Sequence, residues 1–155
     1  MRRRFKVKRE RDGLLKESYA LEAQLKAAGS QNENGGEVKA QLSEVYFQLG
    51  NAHYQLADDW FERDHYISAC HYYRKASQLT EHEAAQYNLG MLCQEGRSDY
   101  DDYRLDDDRA VYYYHLAANQ GHVKAKHALD DDRAVCYYHL AANQGHVKAE
   151  HAFAW

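Results

Sequence analysis

Ten histidines, three cysteines and 24 Asp/Glu are the side chains of this 155-residue chain that could do chemistry. Near the end, His115, His122 and His127 recur 24 residues on as His139, His146 and His151, at steps of seven and five. A metal clamp on a helix needs histidines three or four residues apart. A five-residue step turns by roughly 500°, about 140° off the shared face. Histidines exposed or at an interface are therefore expected here, not a metal site. The acidic runs "DYDDYRLDDD" (99–108) and "DDD" (130–132) lack the sixth-position glycine and closing glutamate of a calcium loop. Capping of helix N-termini accounts for them. Cys70, Cys93 and Cys136 show no CxxC spacing and fall on apolar helical faces, so buried, unreactive thiols are predicted. There is no nucleophile signature, phosphate loop or catalytic carboxylate pair. The reading at this level is no catalytic residue, no metal and no cofactor, with a His/Asp-rich metal-binding protein or enzyme as the competing class.

Charge is unevenly spread. Residues 1–12, "MRRRFKVKRERD", hold seven Lys/Arg and two acids, whereas the remainder holds 13 Lys/Arg against 22 acids. A basic arm on an acidic body could touch nucleic acid or an anionic membrane. It contains one aromatic, Phe5, and no base-reading module follows, so a solvated basic helix end is expected and nucleic acid is not the expected partner. No apolar segment follows the arm as in a secretory signal, and no run suffices to span a membrane. The unpaired cysteine pattern predicts reduced thiols and a cytoplasmic setting.

The elements that must carry these residues read as helices. Proline is absent, and the commonest residues lose little on entering a helix. Leu14, Leu21, Leu25 and Ala28 place one stripe on a helix over 5–28, within a basic N-terminal segment 1–28. The segment "GSQNENGG" (29–36) reads as a linker. Leu42, Tyr46, Leu49, His53 and Leu56 mark the next amphipathic helix. Ile67 to Ala76, Ala85 to Leu92 with a stop at Gly96, and 109–121 ending at Gly121 supply three more. Leu49-Gly50 and Leu89-Gly90 lie 40 residues apart, and "SACHYYRKAS" lies over "RAVYYYHLAA". Two helices per 40-residue period are the mark of a helical solenoid.

These residues resemble the Sel-one-like repeat family, relatives of the tetratricopeptide repeats. Ala85, Gln86, Tyr87, Leu89 and Gly90 match its first helix, and Ala110, Tyr114, Ala117, Ala118, Gln120 and Gly121 its second. Leu49, Gly50, Ala69, Tyr72, Tyr73, Lys75 and Ala76 repeat the pattern one unit earlier, and residues 1–36 lie outside it. The fold expected is all-α, a short solenoid of antiparallel helix pairs over 37–155, in units of about 37–80, 81–121 and 122–155, behind an N-terminal helix. Gly50 and Gly90 each cost roughly 1 kcal/mol inside a helix. Close approach of the paired helix, with Ala69, Ala76, Ala110 and Ala117 opposite, is the expected compensation.

The resemblance implies a non-catalytic scaffold or adaptor for a protein or peptide partner. Among 14 tyrosines, more than half are expected to pack between repeats, filling the space between hairpins. Tyr46, Tyr54 and Tyr87, with His53, are the candidate groove residues, because aromatics concentrate binding energy. "LDDDRAVYYYHLAANQGHVKAKHA" (105–128) and "LDDDRAVCYYHLAANQGHVKAEHA" (129–152) differ at two positions. The 24-residue block is out of step with the 40-residue period, so the third unit is truncated. A break near Asp130 is predicted, and an uncapped end at Phe153 and Trp155 could support self-association.

Overall fold

The computed structural model describes residues 2–29, 34–57, 63–97 and 107–130. Among them the chain forms six helices and no strand: α1 (Arg2–Ala28), α2 (Asn34–Ala57), α3 (Arg63–Thr80), α4 (Glu83–Gln94), α5 (Asp107–Asn119) and α6 (Val123–Asp130). The fold class is all-α with adjacent helices paired. The chain divides into two compact units, Met1–Ala85 and Gln86–Trp155.

In the first unit, α2 is the central element, with α1 and α3 packed against it. Its buried side chains are Leu42, Ser43, Val45, Tyr46, Leu49, Ala52, His53, Leu56 and Ala57. At 100° per residue they spread over roughly half the helix circumference, too wide for one neighbour. The extra width is met by α1, of which Val7, Ser18 and Leu21 are buried. Val7 clusters with Ala52 and Leu56 of α2. Such a thin stripe leaves α1 dependent on its packing, since isolated helicity in water is marginal. The helix α2 starts at Asn34, inside the segment expected to be linker. Glycine is tolerable there because the first-turn amides have no intrahelical acceptor to lose.

The pairing of α2 with α3 corrects one expectation. Ala69 and Ala76 are fully buried, but what fills the notch at Gly50 is the ring of Tyr73. A Cβ on Gly50 would lie 2.5 Å from Tyr73 Cδ1. The Tyr73 hydroxyl then donates to Asn51 Oδ1 at 2.7 Å. Ser43 donates to the Ala76 carbonyl at 3.0 Å and accepts from Thr80 at 2.5 Å, tying the N-terminal half of α2 to the end of α3.

The second unit repeats the device. A Cβ on Gly90 would lie 2.7 Å from Tyr114 Cδ1 and 3.1 Å from the Ala110 carbonyl oxygen. Tyr114 donates to Gln94 Oε1 at 2.7 Å. Around that ring Cys93, Ala110, Ala117, Ala118 and Ala125 form the core. Gly96 (φ +71) and Gly121 (φ +92) end α4 and α5. Paired bonds, Arg97 N to Leu92 O with Gly96 N to Cys93 O, and His122 N to Ala117 O with Gly121 N to Ala118 O, close each end. These are two Schellman caps, which need a left-handed residue that only glycine adopts without strain.

The helix α6 ends at Asp130, the last described residue. The expected break after it, Cys136, most of the second copy of the 24-residue block and the expected self-associating end lie outside the described residues.

Candidate functional site

The ends of α1 and α3 and the N-terminal half of α2 enclose an open groove of about 400 Å³. Its apolar part is Leu25 of α1, Leu42 and Tyr46 of α2 and Leu79 of α3. Lys26 and Glu22 stand on the α1 side, Lys75 and Gln78 on the α3 side. The steps 22, 25, 26 and 75, 78, 79 are the three- and four-residue spacings that put side chains on one helical face.

Tyr46 organises the groove. It is 6% exposed, and its hydroxyl donates to Glu22 Oε1 at 2.5 Å. Burial, followed by the hydrogen bond to Glu22 and its charge, raises the phenol well above its ordinary value. It stays a neutral donor, and the one groove acid is turned onto it. Lys75 Nζ sits 5.0 Å from the Tyr46 ring centroid, a cation–π contact. Tyr72 stacks on Tyr46 at 6.2 Å.

Tyr72 also stacks on His53, at 5.5 Å and 14°. His53 is 9% exposed, and its Nδ1 lies 3.0 Å from His65 Nδ1, so one ring carries the proton that the other accepts. Burial first, then the charges of His65 and of Arg11 on α1, push His53 down to about 4. Of the four candidate groove residues, then, Tyr46 and His53 share Tyr72 as a neighbour and lie beneath α1. Tyr54 is half-buried, edge-on to Tyr66 at 5.8 Å. Tyr87, in the second unit, is half-buried against Tyr114 at 5.6 Å. The repeat pattern does not mark Glu22, Leu25 and Lys26 as site residues, because α1 lies outside it. The spacing of Leu14, Leu21 and Leu25 is the sequence signal that points to this face of α1.

The Sel1 repeat family model matches residues 43–80, 83–122 and 126–146. The chain belongs to the Sel1 repeat family. No curated protein and no solved structure matches it. The third repeat match is about half as long as the first two. Sel1 repeats are helical solenoid repeats, generally protein-interaction modules and typically non-catalytic.

The repeat register also explains two histidines. His82 and His122, 40 residues apart, each precede a first helix. The His82 ring stacks on Phe47 at 4.5 Å, and that of His122 on Tyr87 at 4.7 Å. Their Nδ1 atoms accept the Ala85 and Ala125 amides, both at 3.2 Å. Each thus serves as an N-cap, a task usual for Ser, Thr, Asp or Asn. With Nδ1 accepting, His82 Nε2 carries the proton it gives to Glu44 Oε2 at 2.9 Å. His115 is 7% exposed, and burial pushes it down to about 4. Cys70 and Cys93 are both buried. Among the described residues no three His, Cys, Asp or Glu side chains group to hold a metal ion, and no helix is long and apolar enough to cross a membrane.

Proposed function

We propose that this Sel1 repeat protein is a non-catalytic scaffold or adaptor that docks a segment of a protein partner. The observation that carries this reading is the α1–α3 groove, an open cleft with leucine walls and a charged rim. Its volume falls within the ~300–1,000 Å³ of typical binding clefts, at the small end, which suits one or two anchoring side chains. Tyr46 forms part of its lining, and Tyr54 and Tyr87 are secondary contact candidates. His53 acts indirectly, by supporting the Tyr72 ring that backs Tyr46. A cytoplasmic role accords with this reading through the sequence alone, whose three cysteines show no paired spacing.

A photocrosslinking amino acid at exposed Gln78 tests the reading in cell extract, with one at exposed Asn119 as control. The expected result is a discrete adduct from position 78, competed by unmodified protein and lost in Leu79→Asp. Equal, uncompeted labelling from both positions would remove the groove as the docking site.

A further inference from the structure

We infer that the partner segment is acidic: one or two large apolar side chains flanked within a turn by carboxylates. This rests on the docking reading above and adds the chemistry of the occupant. The groove presents two ammonium groups from opposite walls, Lys26 of α1 and Lys75 of α3. Its one acid, Glu22, faces inward, accepting the Tyr46 hydroxyl. Lys75 is held over the Tyr46 ring, so it is positioned at the edge of the apolar surface before any partner arrives. The same groove is lined by Leu25, Leu42 and Leu79. An arriving carboxylate meets cations on either side, while its neighbouring Leu or Phe side chain meets leucine. A basic segment meets the same apolar surface through like charge, which costs affinity and slows encounter.

The polarity is a property of α1 as much as of the repeat. Only Lys75 belongs to the matched repeat, whose residues run from 43 to 80; Lys26 comes from the helix outside it. A Sel1 repeat without such a helix would offer one wall of this groove and one of its cations.

The test pans a random twelve-residue display library against the full chain and against a Lys26→Glu/Lys75→Glu double variant. Both lysines are at least partly exposed, and circular dichroism checks that the variant keeps its helices. Wild type is expected to enrich Leu or Phe flanked by Asp or Glu, and the double variant to enrich Lys or Arg in those places. The leading acidic peptide, synthesised with a fluorophore, is expected to bind wild type in an anisotropy titration. Its affinity should fall roughly tenfold in Lys75→Glu, and its binding to wild type should weaken with added salt. Neutral or basic winners whose binding is abolished by Leu79→Asp would overturn the charge assignment while leaving the groove as a docking site. Winners indifferent to Leu79→Asp and to both lysines, or no winners at all, would overturn the groove reading itself.

Discussion

The hairpins α2/α3 and α4/α5 are two solutions of one repeat, and their differences separate what the fold requires from what the chain does with it. Both place a tyrosine ring against a glycine, Tyr73 on Gly50 and Tyr114 on Gly90. Both cap the following first helix with a histidine stacked on an aromatic, His82 on Phe47 and His122 on Tyr87. They diverge on the outer side of the first helix. Tyr46 gives its hydroxyl to Glu22 of α1, whereas Gln86, 40 residues on, accepts from Gln120 at 2.6 Å inside its own unit. His53, beneath α1, is replaced by Cys93. The shared contacts are packing devices. The divergent ones meet a helix that only the first repeat is shown to carry, and there the groove forms.

The largest effect tests the shared device. Tyr73→Ala and Tyr114→Ala are each expected to cost about 3–5 kcal/mol in urea unfolding, as for loss of a large buried aromatic. A cost below about 1 kcal/mol in either would break the equivalence of the two repeats.

Filling the notch is the next test. Gly50→Ala and Gly90→Ala gain helix propensity but force a methyl into a tyrosine ring, and overpacking typically costs about 1–3 kcal/mol. Both should destabilise, Gly90→Ala more, because its methyl also meets the Ala110 carbonyl. In a Tyr73→Leu background, Gly50→Ala should turn neutral or stabilising. If it does not, the ring is not what the glycine accommodates.

Acid should expose one histidine in each repeat. His53 and His115 are held at about 4 in the folded chain against an ordinary ~6.5. Between those values the unfolded chain binds more protons. Stability is therefore full above about pH 6.5 and falls as pH drops toward 4. Unfolding midpoints measured across that range should flatten in His53→Gln and His115→Gln. An unchanged pH slope in both would show that these rings are not buried neutral.

The smallest effect sharpens a difference in the loops. The first repeat ends α3 with Glu81 at φ +54, its amide bonded to Ser77 O at 2.8 Å; the second uses Gly121 at the same register. Left-handed backbone costs a non-glycine residue about 1–2 kcal/mol, partly offset by the entropy glycine loses on folding. Glu81→Gly should stabilise by about 0.5–1 kcal/mol in thermal melts, and Gly121→Ala should destabilise by a similar or larger amount. Destabilisation by Glu81→Gly would mean that its side-chain contacts outweigh the strain.

The helices, their 40-residue period and the glycine stops at Gly96 and Gly121 were legible in the sequence because each is local. The 3.6-residue spacing of apolar positions and the sign of φ depend on residues within a turn or two. Contacts between helices are another matter. Periodicity shows that Gly50 faces a neighbour, but not that a tyrosine rather than an alanine fills the space, since both lie on the buried face of α3. It shows a stripe on α1, but not that Glu22 reaches Tyr46 or that Lys26 comes to stand across a groove from Lys75. It counts histidines without saying that His53 and His115 are buried and two others are caps. Those outcomes were decided by the tertiary structure, where the angle and offset between packed helices determine which side chains meet, and one-dimensional spacing carries neither.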